Sequence, residues 1–476
     1  MYTIVIIGAG FSGTATAINL LRDCQSSIRI ILINRSGGMA RGLAYGTSSP
    51  QHLLNVPAGN MSVLADDRND FLRFCRSRLP GVGSDAFVPR SLYGDYLSAR
   101  LDEAEQAAAP LGQVVRLHGE ARKIYREAEK SCIELDNGRV LHADHVVLAF
   151  GHFAPRTPGN IDIKLLADRY QQDPWLGDAS DHDAAESVLL IGAGLTALDV
   201  VTGLLQRKHS GTIHMLSRRG LLPLPHRTQR GSAEVPQDFV QRMLDARPST
   251  LAYMKLLRHQ VNRCQGLGPD WRDLVAALRP VTAELWQRLP AVEKRRFLRH
   301  AQPYWDAHRH RVAPDSYRLF SAALAHGQIQ PRAGQLLSVE RTDDGVLVTL
   351  RARGGQDTEQ LRVSRIINCT GPNGNPALVN DGLIRQLRAS GLLQPDPLGL
   401  GIEVDQQLCT RDIQGNPVPW LSYVGPMLKG CFWEATAVPE LREHAVRVAG
   451  RLLTECALMQ RATIRMGNAA RAASAR

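Results

Sequence analysis

Several features are missing from the sequence, and each absence removes a class of protein. No apolar run reaches the roughly 18 residues that cross a bilayer as a helix, so no membrane association is expected. The first apolar run has no basic segment before it and leads into a glycine turn, so a secretory leader is not expected either. The eight cysteines, at 24, 75, 132, 264, 369, 409, 431 and 456, are scattered and form no Cys-x-x-Cys pair. That spacing argues against a metal site and against a redox disulfide of the thioredoxin-reductase kind. Reduced thiols in a cytoplasmic enzyme are the expectation. No nucleic-acid motif accompanies the net charge of +11, which is spread over the chain with local clusters at Arg218-Arg219, Lys294-Arg295-Arg296 and His308-Arg309-His310-Arg311. The charge is read as suiting anionic cofactors and substrates rather than nucleic acid.

What the sequence does contain is one pattern, twice. Ile4-Val5-Ile6-Ile7 runs into Gly8-Ala9-Gly10-Phe11-Ser12-Gly13, and an Ala- and Leu-rich stretch follows. This is strand, tight turn and helix. Gly8 makes the turn, Gly10 lets a pyrophosphate approach the backbone, and Gly13 lets the helix sit close to the strand. The helix N-terminus then offers free N–H groups to the phosphates. The second copy is Ser187-Val188-Leu189-Leu190-Ile191 followed by Gly192-Ala193-Gly194-Leu195-Thr196-Ala197. Here Ala197 takes the third glycine position, as the fingerprint permits.

The next strand in each copy should end at the ribose. The first, Ile28 to Ile33, ends in Asn34-Arg35, where an acid is usual. Asn34 can still bond a ribose hydroxyl, with Arg35 near the adenine or a phosphate. The second, Thr212 to Leu216, ends in Ser217-Arg218-Arg219-Gly220. Two arginines and a hydroxyl suit a 2′-phosphate, so NADPH is expected ahead of NADH. The alternative is that these arginines are solvated or grip the pyrophosphate.

Helices are expected over 71–79 and 91–108, a β-meander over 114–135, and a buried strand from His145 ending at Gly151-His152. His152 is either a contact of flavin or nicotinamide or a solvated loop residue. Residues 235–325 read as a polar, Arg-rich helical insertion with its own core around Trp271, Trp286 and Trp305. Its run from Arg295 to Arg311 reads as a charged helix face, with a pocket role for Tyr304, His308 or Arg309 the minor reading. The strand Arg365 to Asn368, ending in Cys369-Thr370-Gly371, is expected to return to the flavin. A helix is expected from Pro439, with a frayed tail.

The fold class is therefore α/β, with two Rossmann-like dinucleotide-binding domains. The expected order is FAD domain (1–165), NAD(P)H domain with the helical insertion (166–330), second part of the FAD domain (331–460) and tail (461–476). FAD would occupy the first turn and the reduced nicotinamide the second. Reduced flavin then either activates O₂ or passes electrons on. No cysteine pair or membrane segment is present to receive them, which favours monooxygenation of a small-molecule substrate. The pocket must exclude water for a flavin C4a-hydroperoxide to survive. No catalytic acid or base is assigned.

Several motifs then carry a family resemblance. They are Phe11-Ser12-Gly13, Arg41-Gly42-Leu43-Ala44-Tyr45, His52-Leu53-Leu54-Asn55-Val56-Pro57-Ala58, Phe87-Val88-Pro89-Arg90, Ser217-Arg218-Arg219-Gly220, Ile367-Asn368-Cys369-Thr370-Gly371-Pro372 and Val438-Pro439-Glu440-Leu441-Arg442. The chain resembles the FAD/NAD(P)-binding flavoproteins that include a bacterial FAD-dependent urate hydroxylase and an aspartate N-hydroxylase. The resemblance implies that the loop from Arg41 to Ser62 belongs to the FAD site, with Tyr45 and Asn55 near the flavin and Arg41 a further cofactor-binding candidate. Within that family the expected reaction is urate hydroxylation to 5-hydroxyisourate. The alternatives are amino-acid N-hydroxylation of the aspartate type, and a flavin-binding interaction protein without turnover.

Overall fold

The computed structural model describes residues 1–47, 49–159, 161–176, 183–228, 234–265 and 268–474. In chain order its strands begin with β1 (Tyr2–Ile7), β2 (Ile28–Asn34), β3 (Gly112–His118), β4 (Ala121–Glu127), β5 (Lys130–Leu135), β6 (Val140–Ala143) and β7 (His145–Leu148). They continue with β8 (Tyr170–Gln171), β9 (Val188–Ile191), β10 (Ile213–Ser217), β11 (Ile329–Thr342), β12 (Gly345–Ala352) and β13 (Thr358–Val363). The last are β14 (Arg365–Asn368), β15 (Cys409–Arg411) and β16 (Pro417–Tyr423). The backbone divides into two compact units. The first holds Met1–Ser48, Pro57–His152 and Gly374–Arg476; the second holds Ser49–Val56 and Phe153–Asn373. The fold is α/β with two Rossmann-like domains, as expected.

In the first unit, six strands run in the order β15-β16-β7-β1-β2-β3, parallel except for the β15–β16 pair. The β1 residues Ile4, Val5 and Ile6 are fully buried, as a parallel strand covered on both faces requires. The helix Phe11–Arg22 is buried along almost its whole length. It packs between the helices Arg90–Ala108 and Val438–Ser474. The expected meander is split. β3 joins the main sheet beside β2, and β4, β5 and β6 form a separate antiparallel sheet. Gln386, on the helix Gly382–Ala389, braces that small sheet by bonding both the N–H and the C=O of Ile124 at 2.9 and 3.0 Å. The expected tail is instead part of the helix that runs from Val438 to Ser474; residues 475–476 lie outside the described ones.

In the second unit, seven strands run in the order β13-β12-β11-β10-β9-β14-β8. This corrects the expected domain order. The start of β11 pairs in parallel with β10, and β14 pairs in parallel with β9 from Arg365↔Val188 to Asn368↔Ile191. Residues 331–373 are thus the second half of this unit's own sheet, not a return to the first. The helical insertion has its own apolar cluster of Phe239, Met243, Cys264, Leu274, Leu278 and Leu285. Of its three tryptophans only Trp286 is buried.

Candidate functional site

The two glycine turns are built alike. Gly8 has φ +110°, and its N–H bonds Ile33 O at 2.9 Å. A Cβ on Gly8 would stand 2.5 Å from Ala149 O, so the segment just after β7 fixes glycine there. Gly192 has φ +115°, its N–H bonds Leu216 O at 2.8 Å, and a Cβ would stand 2.2 Å from Cys369 O. Both backbones lie in the left-handed region, where a side chain is strained in any case. Gly10 and Gly194 begin their helices with φ of −81° and −89°, and neither helix has a side-chain cap. The free N–H groups of each first turn therefore face outward. A Cβ on Gly10 would meet only Gly42 Cα, at 3.6 Å, and one on Gly194 would meet nothing within 4 Å. Each turn is an open, positively polarised cradle of the kind that takes a pyrophosphate. Ala9, Phe11, Ser12 and Ala197 are buried and shape the turns rather than line them.

Around the first cradle, the helix Gly42–Tyr45 passes close to Gly10. Helix Arg90–Ala108 supports it at Gly94, where a Cβ would stand 2.7 Å from Tyr45 O. Arg41 pairs with Asp95, and the Tyr45 ring meets Tyr93 edge-on at 4.6 Å. Asn34 spends its amide donors on Ser36 Oγ and Gly38 O, which leaves its oxygen as the group for a hydroxyl. Arg35 pairs with Asp381 at 3.0 Å, the residue that caps helix Gly382–Ala389. Gly151, after β7, is exposed, and a Cβ there would meet nothing within 4 Å.

Three expected flavin contacts fall in the second unit. Thr370 and Gly371 follow β14, and Thr370 Oγ1 donates to Asn368 Oδ1 at 2.7 Å. They are the second turn's counterpart of Phe150 and Gly151, because Cys369 does for Gly192 what Ala149 does for Gly8. Asn55 also belongs here, where His226 Nε2 donates to its carbonyl at 3.0 Å.

At the end of β10, Gly220 N bonds Ser217 Oγ at 3.0 Å and Arg218 is exposed. Arg219 differs from the expectation. Its guanidinium donates to His300 O at 3.1 Å and Arg299 O at 2.5 Å, and it lies 5.2 Å from the Tyr304 ring centroid. The cause is Pro303, which has no N–H to return to the carbonyl four residues earlier. The helix slips into a π turn over Phe297–Ala301, and Arg219 supplies the missing donors. Arg353 reaches the Arg219 carbonyl at 3.5 Å. Together Arg219 and Arg353 hold the Tyr304 phenol below its usual pKa. Sequence reading missed Arg353, which lies more than a hundred residues downstream of Ser217 with no local motif to mark it.

With this geometry in place, comparison with known proteins is informative. Residues 5–153 match a family described as FAD-NAD(P)-binding, and residues 82–265 match one described as L-lysine 6-monooxygenase/L-ornithine 5-monooxygenase. The chain is an FAD- and NAD(P)-binding flavoprotein monooxygenase. The non-catalytic alternative therefore drops out. A search of the curated proteins finds no match to this monooxygenase. Among solved structures its fold is similar to the ornithine N-hydroxylase of Kutzneria sp. 744, with a TM-score of 0.64 and 14% identity over 96% of this chain and 99% of that one. It is also similar to L-lysine 6-monooxygenase from Pseudomonas syringae, with 0.63 and 16% over 96% and 100%. A third is the cadaverine monooxygenase of Erwinia amylovora, with 0.62 and 12% over 94% and 93%. No helix among the described residues is long and apolar enough to cross a membrane.

Proposed function

We propose that this flavoprotein monooxygenase is an NADPH-dependent N-hydroxylase of a primary amine. The carrying observation is the pair of open, uncapped glycine cradles in a chain whose residues 82–265 match a lysine/ornithine monooxygenase family. The proteins similar in fold are named for amines as substrates, and that favours the amine alternative over urate, which finds no support in these comparisons.

Bound FAD, reduced by the nicotinamide, supplies activation of O₂ and delivery of one oxygen atom to the amine nitrogen. The chain's own residues position and recognise. The N–H groups after Gly10 hold the FAD pyrophosphate, with the Arg41 to Tyr45 segment beside it and the Asn34 oxygen on the ribose. The N–H groups after Gly194 hold the nicotinamide pyrophosphate. Arg218 and Arg353, with Ser217, take the 2′-phosphate. Arg219 keeps that end of β10 in place.

The test is anaerobic reduction by NADPH and by NADH, followed by aerobic turnover with L-ornithine, L-lysine, cadaverine, L-aspartate and urate. The expected result is faster reduction by NADPH and a hydroxylamine product from an amine. Consumption of urate with no hydroxylamine from any amine would overturn the proposal.

A further inference from the structure

A third basic site in the second unit is used by neither cradle. The strand-like segments around Pro225 and Val312 form a parallel bridge, with His226 N bonding Val312 O at 2.9 Å and Val312 N bonding Leu224 O at 3.0 Å. The bridge sets His226 and Arg227 beside Arg311. The helix Gln302–Arg309 ends before Arg311, so that residue is not on the charged helix face expected from the sequence. Arg227 is held by Asp270 and Asp273, each at 2.7 Å. Arg272 pairs with Asp270 at 3.0 Å and donates to Pro225 O at 3.2 Å, while lying 4.3 Å from the Trp271 ring centroid. His308 meets that same ring edge-on at 4.7 Å and so ties helix Gln302–Arg309 to helix Trp271–Ala277.

Arg311 is the exception in this network. Among the described residues it makes no ion pair, and its Nε is sealed from solvent with no hydrogen-bond partner. Burial, then the neighbouring Arg309 and Arg272, push its guanidinium down to about 10, so it remains charged at neutral pH. Burial and Arg311 push His226 down to about 4, so that imidazole is neutral and adds no charge. Arg309, Arg272 and Arg227 crowd this half-buried cation, and the opposing Asp270 is already paired with Arg227 and Arg272, so the site suits an anion. The dinucleotide's own anionic groups already have the Gly194 cradle and the Arg218–Arg353 pair.

We propose that Arg311, backed by Arg272 and Arg309, anchors a carboxylate of the substrate. The inference rests on the amine N-hydroxylase reading and narrows it, because the amine must then be an amino acid or another carboxylate-bearing amine, not a simple diamine. A forked guanidinium on a carboxylate also fixes the orientation of the molecule that carries it.

The experiment uses the FAD-loaded protein and its Arg311→Met and Arg311→Lys variants. Succinate, L-aspartate, L-ornithine and cadaverine are titrated by calorimetry and thermal shift, with NADPH titrated alongside. The expected outcome is that at least one of the three carboxylates binds and raises Tm while cadaverine does not. Arg311→Met should weaken that binding about tenfold or more, as loss of a charge-assisted pair implies, and Arg311→Lys should weaken it less. NADPH binding should stay within about twofold. An equal loss of NADPH affinity would make this a phosphate site and overturn the proposal. So would carboxylates that fail to bind the parent protein. Should the methionine variant fail to retain FAD, the lysine variant decides, since it keeps the charge and loses only the fork. Cadaverine hydroxylated equally well by parent and variants would sink the carboxylate anchor and leave the N-hydroxylase reading standing. Carboxylate binding lost in Arg311→Met, with no hydroxylamine from any amine, would do the reverse.

Discussion

The first helix after each glycine turn has the same length of 12 residues and a different environment. Phe11–Arg22 is buried from Phe11 to Leu21, between two long helices. Leu195–Gln206 buries one side only, through Ala197, Leu198, Val201, Thr202 and Leu204. The third position follows from this. A Cβ on Gly13 would stand 1.9 Å from Gly8 O, so the sandwiched helix is pressed onto its turn. The helix covered on one face carries a methyl at Ala197 in the equivalent place. The same cradle is thus made under two degrees of compression, and the compressed one should be the less forgiving.

The sharpest way to break this comparison is to add one methyl to each turn. Gly13→Ala forces Cβ into a backbone carbonyl, and Gly192→Ala does so at φ +115°. Both should cost more than about 4 kcal/mol, because neither clash is against a movable side chain. FAD content and Tm of purified protein should show loss of flavin in the first case and loss of NADPH binding with instability in the second. Gly194→Ala is the control. It meets nothing within 4 Å, so it should fold normally and weaken NADPH alone. Normal FAD content in Gly13→Ala would refute the compression argument.

The next effect separates the ends of the second strands. Arg219 donates to two carbonyls at the π turn, where water can replace it in part, so Arg219→Ala should destabilise the protein by about 1–2 kcal/mol and weaken NADPH and NADH together. Arg218→Ala should weaken NADPH about tenfold and leave NADH unchanged. Selective loss of NADPH in the Arg219 variant would return that residue to the phosphate.

These residues also mark what could be read from the sequence. Both turns, their strands and their helices were legible because each is fixed by neighbours within a dozen residues. The partner strand of each turn was not. Arg365 to Gly371 and His145 to Gly151 have the same local pattern, and only pairing with β9 or β1 tells them apart. Arg219 was misjudged for the same reason. Nothing near it signals that Pro303, far along the chain, leaves carbonyls in need of donors. Asn55 sits in a loop whose sequence resembles its family throughout, yet His226 draws it into the second unit.

Acid should test the two units evenly. His444 in the first and His214 in the second are both buried, and burial pushes each down to about 4. An unfolded histidine titrates near 6.5. The folded protein therefore resists protonation that the unfolded chain accepts. The stability from each histidine is full above about pH 6.5 and is lost as pH falls towards 4, at about 3 kcal/mol each. Denaturant unfolding at pH 7 and pH 4.5 should show a smaller acid loss in His444→Gln and in His214→Gln than in the parent. An unchanged difference in either would mean that the histidine is solvated.

The smallest effect is the most direct measure of compression. Ala197→Gly restores the third glycine to the second turn. If that helix stood as close to its turn as the first one does, the methyl would be strained and its removal would stabilise the protein. The methyl is instead fully buried, so the helix stands far enough from the turn to hold it. Removal should then cost about 1.5 kcal/mol, the sum of a lost buried methyl and added backbone freedom in a helix. NADPH affinity should hardly move, because Ala197 sits behind the cradle and not in it. A stabilised variant would mean that both helices are equally compressed, and the difference in covering would then not explain why one turn needs glycine where the other takes alanine.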